Sequence, residues 1–267
     1  MTQGVVIFAY ANELIDYVAL AAWSTKNIHR HLGLPVCVIT DQVNLPATYQ
    51  FDQVIHADKQ GNNSRYFADF KDSVTWYNND RMTAYALSPW DQTLLLDADY
   101  VVASNQLSML FDTNIDFLAH DHAYDVAGGK PFEQENCFGR YHMPMTWATV
   151  MRFNRSHHAE LIFDTMQMIR ENWTHYRSLY GVSSATYRND FALTIAQLIV
   201  NGQVLAWPCI PWSLATVVPE TQLTQLAVDH YRVDYRTGSG QLKWITLNQD
   251  FHAMGKRYLG DIVASAC

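Results

Sequence analysis

Residues 5–10, Val-Val-Ile-Phe-Ala-Tyr, form an unbroken apolar run of strand length near the start of the chain. An amphipathic stretch over residues 13–31 follows, with Leu14, Val18, Ala21, Ala22 and Ile28 along one side, and Gly33 and Pro35 end it. A second apolar run, residues 35–41, then closes on Asp41. Strand, helix, strand in that order, with strands apolar throughout, predicts an α/β fold in which helices flank a mostly parallel central sheet.

The rest of the chain extends this pattern. A short strand is expected over 51–56, a loop followed by helix over 61–79, and a helical piece over 81–87. Strands are expected at 93–97, 117–120 and 146–153, and helices at 156–173 (capped by Ser156) and 189–199. Residues 127–140 read as a loop and 204–208 as a strand edge. At 267 residues, with 49% hydrophobic and only 16% charged residues, the chain is far from a disordered or disulfide-stapled composition. A single domain over 1–267 is expected, with a regular first part, 1–103, and a less regular second part, 104–267.

No basic run precedes the first apolar stretch, and no window is long and apolar enough to span a bilayer, so a cytoplasmic location is expected. Cys37, Cys137, Cys209 and Cys267 are widely spaced without a CxxC pair, which disfavours a zinc site or a disulfide framework. The formal net charge is -8. It is unevenly spread: residues 1–133 carry 7 Lys and Arg against 16 Asp and Glu, and residues 134–267 carry 11 against 10. Without a basic block, tight nonspecific binding to nucleic acid is disfavoured.

The sharpest local feature is Leu94-Leu95-Leu96-Asp97-Ala98-Asp99. A buried leucine strand ends in two carboxylates that, in extended chain, point to the same side. Two like charges held so close repel unless a cation lies between them, and hard divalent ions take such oxygens. Open α/β sheets bind ligands at this end of their strands. Competing sites lack their signatures. No G-x-G-x-x-G follows the first strand, no Walker A loop exists around Gly128-Gly129-Lys130, and there is neither a G-x-S-x-G elbow nor an H-E-x-x-H helix.

With the Asp97-Ala98-Asp99 strand end and a late His252-x-x-Gly255, the chain resembles a glycosyltransferase of the GT-A fold, and within it glycosyltransferase family 8, the glycogenin- and galactosyltransferase-like group. The resemblance runs through most of the chain. It implies a Rossmann-like nucleotide- and metal-binding part in 1–103 and a sugar- and acceptor-binding part in 104–267. It places Ala9, Tyr10 and Ala11 against the nucleotide, Asp41 at the base, and Arg81 at the diphosphate or sugar. Asp97, Ala98 and Asp99 become the metal motif and His252 the third metal ligand. Residues 146–151 would match a strand that presents small side chains to the sugar, with Trp147 departing from that pattern, and Asn189 and Asp190 would shape the sugar and acceptor pocket. The family's C-terminal lysine falls on Tyr258 here, so Lys256 and Arg257 are the nearby cations for the diphosphate.

The donor implied is a nucleoside diphosphate sugar, a UDP-sugar first, with Mn²⁺ as the expected metal and Mg²⁺ as the alternative. Anomeric retention is the expected outcome, Asp190 positioning sugar hydroxyls or stabilising the oxocarbenium-like carbon; in an inverting reaction Asp190 is the candidate base. Trp76, Tyr77, Trp147, Trp212 and Trp244 are candidate sugar platforms. Glycans, proteins, small molecules and a hydroxymethylated base in DNA (a viral enzyme's acceptor) all stand as acceptors. The DNA reading requires Arg140, Arg152, Arg155, Arg170, Arg177 and Arg188 to form one face beside the cleft. An inactive nucleotide-sugar or carbohydrate-binding protein is the nonenzymatic alternative.

Overall fold

The computed structural model describes every residue except 60–62, 78–79, 129, 132–136 and 267. Cys267 and part of the 127–140 loop therefore lie outside the described residues. At the centre is a six-stranded sheet in the spatial order Gln53–His56, Val36–Thr40, Gln3–Phe8, Gln92–Asp97, Trp147–Asn154, Phe117–His120. The first four strands run parallel, and the last two each pair antiparallel to the neighbour before them. The α/β reading with a mostly parallel sheet thus describes the observed architecture. Val5, Val6, Ile7 and Leu94, Leu95, Leu96 are fully buried, as the unbroken apolar runs require. Burying each such side chain contributes about 1.5–3 kcal/mol.

Helix Tyr17–Leu32 starts where Asp16 accepts hydrogen bonds from the backbone N–H groups of Val18 and Ala19. It ends at Gly33, whose φ of 63° is left-handed. Helix His157–Glu171 begins with the Ser156 side chain accepting from Ala159 N, and it packs against helix Asn189–Val200. Buried apolar residues from Val5 to Val263 form one continuous core. No helix among the described residues is long and apolar enough to cross a membrane.

A second sheet matters more for the site. Its five strands lie in the order Lys130–Pro131, Ala123–Asp125, Leu214–Val217, Phe251–Ala253, Tyr100–Val101. Tyr100–Val101 follows the leucine strand after a two-residue turn, and it pairs with Phe251–Ala253 so that His252 lies opposite Tyr100.

Three expectations are corrected. The described residues of 61–79 hold no helix: Asn63–Phe67 and Asp72–Trp76 form an antiparallel hairpin, with Lys71 at its turn in left-handed conformation, φ 55°. Val74, Thr75, Trp76, Tyr66 and Phe67 are strand-forming types, and the polar residues between them masked the pattern. Residues 204–208 form no strand; Val204 and Leu205 are exposed and Pro208 removes a ladder donor. The irregular tail is instead a three-stranded antiparallel sheet, Gln222–Ala227, His230–Arg236 and Leu242–Leu247, followed by helix Lys256–Ala266.

Candidate functional site

The carboxyl end of the Gln92–Asp97 strand opens into a cleft of about 470 Å³. One wall is built on the two sheets. Asp97 closes its strand, and residues 98 and 99 form a turn before the chain enters the second sheet. The two acids are therefore not one extended strand face, as the i and i+2 spacing implied; the turn converges them instead. The backbone bond from Ala253 N to Asp99 O, 3.0 Å, holds the neighbouring strand in register and brings His252 beside them. Asp97, Asp99 and His252 each offer one ligand atom within 4.8 Å of the others. His252 Nε2 lies 3.5 Å from Asp99 Oδ1, and its buried Nδ1 has no hydrogen-bond partner among the described residues.

Each acid also has its own cation. Arg81, only 1% exposed, pairs with Asp97 and donates to the carbonyl of Ala148. Lys256, 4% exposed, pairs with Asp99 and donates to Ala253 O at 2.9 Å. The two environments push the carboxyls apart. Burial raises the Asp97 pKa, and the Asp99 charge adds to this against the pull of Arg81. Burial also acts upward on Asp99, but Lys256 and His252 outweigh it and hold that carboxyl far below the ordinary range. Two carboxylates and an imidazole are a donor set suited to a divalent ion that accepts mixed oxygen and nitrogen ligands. The residues present fit such an ion, with Arg81 and Lys256 as the charges that keep the acids together without it.

A third acid sits across the cleft. Strand Trp147–Asn154 loses register with its neighbour between Trp147 and Met151, an irregularity that exposes Ala148 and Thr149 to the cleft. Asp190, in the first turn of helix Asn189–Val200, accepts from Ala148 N at 2.9 Å and from Arg188 Nη2 at 2.9 Å. Burial pushes its carboxyl up, yet Arg188 and the Ala148 N–H prevail and the net shift is downward. Ala148 is thus shared: its carbonyl accepts from Arg81 and its N–H donates to Asp190.

The structure brings Tyr10, Arg81, Asp97, Ala98, Asp99, Asp190, His252 and Lys256 to this one cleft. Ala9 and Ala11 do not line it; Ala9 is buried and its N–H is bonded to Ile39 O, while Phe8 and Tyr10 on either side face the opening. Asp41 is also outside the lining. It pairs with Lys59 at 3.1 Å, and Lys59 lies over the ring of Tyr77, which does line the cleft. Arg257 is exposed and outside the lining, its backbone N–H donating to Asp69 at 2.9 Å. Of the candidate platforms, Trp76, Tyr77 and the buried Trp147 border the cleft. Trp212 packs edge-on to His120, and Trp244 is exposed on the separate three-stranded sheet. The hairpin residues Ser64, Arg65 and Tyr66 also line the cleft. Sequence reasoning passed over them, and the only signal was their place in a polar, ring-rich stretch.

The six arginines named for a DNA acceptor do not all present free guanidinium groups beside the cleft. Arg152 is fully buried and donates to Thr113 O and Ile115 O. Arg155 is bound to backbone carbonyls of Tyr85, Ser88 and Trp90, Arg170 to Asp80, and Arg177 to Ser183 O. Of the set, Arg188 alone lines the cleft.

No family model and no curated protein matches the chain. Solved structures similar to it include the glycosyltransferase GlyE of Streptococcus pneumoniae TIGR4, at 13% identity over 79% of this chain and 46% of that one, with a TM-score of 0.44. The galactosyltransferase LgtC, solved with donor and acceptor sugar analogues, is 16% identical over 71% of this chain and 69% of that one, with a TM-score of 0.45. The match spans less than half the length of GlyE. At these TM-scores the likeness shows neither family nor activity.

Proposed function

We propose that this chain is a metal-dependent glycosyltransferase of GT-A type, moving a sugar from a nucleoside diphosphate sugar to a hydroxyl acceptor. The observation that carries this reading is the convergence of Asp97, Asp99 and His252 at the carboxyl end of a central parallel strand, inside a cleft large enough for a nucleotide. A divalent ion at these three residues, Mn²⁺ in the first instance, supplies neutralisation of the charge that grows on the diphosphate as the anomeric C–O bond breaks. The protein's own part is to hold the acids ready. Arg81 fixes Asp97 and the Ala148 carbonyl at once, and Lys256 fixes Asp99, so the ligand set is ordered before substrate arrives.

Phe8, Tyr10, Tyr17, Trp76 and Tyr77 give the cleft an aromatic lining suited to a base and sugar ring. A UDP-sugar is the first donor to test. Anomeric retention is the outcome proposed. A general base works best with a pKa near the working pH, and Arg188 with the Ala148 N–H drive Asp190 the other way. In the retaining reading Asp190 stays ionised beside the anomeric carbon and orients sugar hydroxyls, while the leaving phosphate oxygen takes the acceptor proton. The acceptor is proposed to be a glycan, a protein or a small molecule, since buried Arg152 and the carbonyl-bound Arg155 weaken the basic face that a DNA acceptor requires.

The test is a thermal-shift screen of nucleotide sugars with and without Mn²⁺. A UDP-sugar is expected to raise the melting temperature only when Mn²⁺ is present. Equal stabilisation without metal, or none by any nucleotide sugar, overturns the reading.

A further inference from the structure

Among the described residues, four cationic side chains line the cleft: Arg65, Arg81, Arg188 and Lys256. Three are engaged with carboxylates of the site. Arg81 is held by Asp97 and the Ala148 carbonyl, Arg188 by Asp190, and Lys256 by Asp99 and Ala253 O. Arg65 differs. It makes no ion pair or side-chain hydrogen bond with any described residue. Its guanidinium lies instead over two rings, 5.4 Å from the centre of Phe67 and 5.3 Å from that of Trp76, both on the same hairpin. Ring faces attract a cation without using its N–H donors. Arg65 is therefore restrained in place with its five donors unused by any described residue.

The geometry points to Arg65, on the Asn63–Phe67 strand, as the anion receptor of the cleft, taking the diphosphate of the donor through a forked pair of hydrogen bonds. That identity of the anion rests on the function proposed above; the anion-binding property itself follows from the hairpin alone. A diphosphate bound beside two carboxylates needs positive charge that is not already neutralised. Arg188 would have to abandon Asp190, a buried acid outside the metal set, and Arg81 and Lys256 are already committed to Asp97 and Asp99 and to the carbonyls of Ala148 and Ala253. Arg65 abandons only a ring contact, and it can keep that contact while donating from its edge. A planar guanidinium also matches two phosphate oxygens better than an ammonium does.

Calorimetric titration of the full chain in Mn²⁺ with inorganic pyrophosphate, uridine and UDP tests the assignment, using wild type, Arg65→Lys and Arg65→Ala. Arg65→Ala is expected to weaken pyrophosphate and UDP about tenfold while uridine changes less than about twofold. Arg65→Lys should recover only part of the loss. The side chain is exposed, so the melting temperature of both variants should match wild type. Unchanged pyrophosphate and UDP affinity in Arg65→Ala overturns Arg65 as the receptor and leaves the transferase reading standing. Pyrophosphate binding that depends on Arg65, with no affinity for UDP or uridine beyond it, supports the receptor and overturns the nucleotide-sugar reading. Failure of wild type to bind pyrophosphate overturns the anion subsite.

Discussion

The two walls of the cleft are built on opposite terms. On the sheet wall, Asp97, Asp99, Arg81, Lys256 and His252 are mostly buried and charge meets charge at every position. On the hairpin wall, Ser64, Arg65 and Tyr66 are exposed, and Arg65 rests on rings rather than on acids. A buried, paired wall is fixed by the fold and expensive to disturb. An exposed two-stranded hairpin is held weakly by itself, and its side chains remain available to a ligand. Substitution should therefore cost both stability and function on the first wall and function alone on the second.

The largest effect is expected at the paired acids. Asp97→Asn and Asp99→Asn should each lower Mn²⁺-dependent donor hydrolysis by about a hundredfold or more. They should also lower the melting temperature, because each leaves a buried cation, Arg81 or Lys256, without its counter-charge. Turnover within a few-fold of wild type removes the metal role of this wall, and unchanged stability removes the contrast with the hairpin.

Asp190 should follow the same rule at smaller scale, with a pH signature. Its folded pKa is depressed, so its contribution to stability is present above the unfolded value, about 3.9, and disappears as pH falls through the folded value. Asp190→Asn is expected to cost about 1–3 kcal/mol at pH 7, with the gap to wild type closing below about pH 4. Urea melts at pH 7 and pH 3.5 measure this; a gap that stays constant with pH assigns the loss to packing instead of to the Arg188 pair.

The same division governs what was readable in the sequence. Leu94 to Leu96 running into Asp97 announced a buried strand with chemistry at its end, because apolar runs and carboxylates seldom adjoin without cause. His252 and Gly255 were legible through the family resemblance, which implied the H-x-x-G spacing. The resemblance placed Lys256 near the diphosphate, but its turn inward to Asp99 was not legible, since it depends on the strand pairing of Tyr100 with His252. Asp190 was visible, but its grip on Ala148 depends on a strand irregularity that no periodicity encodes. The hairpin was hidden for a physical reason. Its strands bury little, so they carry no apolar alternation, and the polar sequence resembles a loop. The three-stranded sheet of residues 222–247 escaped for the same reason: Leu223, Tyr231, Val233 and Leu247 are its buried anchors among mostly exposed neighbours.

Gly255 tests how tightly the sheet wall is closed. A Cβ there would sit 3.2 Å from Pro219 Cα, a backbone atom that cannot swing aside. Gly255→Ala is expected to cost about 1 kcal/mol in urea melts, the low end for overpacking, and to disturb His252 and Lys256 on either side of it. A neutral substitution would show that this turn yields freely and that the buried wall is softer than its charge pairing implies.

Trp76 gives the smallest effect and the finest distinction. It is half-buried, and its contribution to the hairpin wall is the ring beneath Arg65. If that ring only covers the strand, Trp76→Leu should leave pyrophosphate affinity untouched, because the Arg65 donors are intact. If the ring restrains the guanidinium, its loss should return rotamer freedom to Arg65, and binding must then order the side chain again. An exposed cation–π contact is worth about 0.5–1 kcal/mol, so a two- to fivefold weakening of pyrophosphate is expected, smaller than that of Arg65→Ala. The double variant Trp76→Leu, Arg65→Ala should be no weaker than Arg65→Ala alone, since the ring has no other route to the anion. Additive losses in that cycle would mean that Trp76 touches the ligand itself, as a platform for the nucleotide or sugar ring.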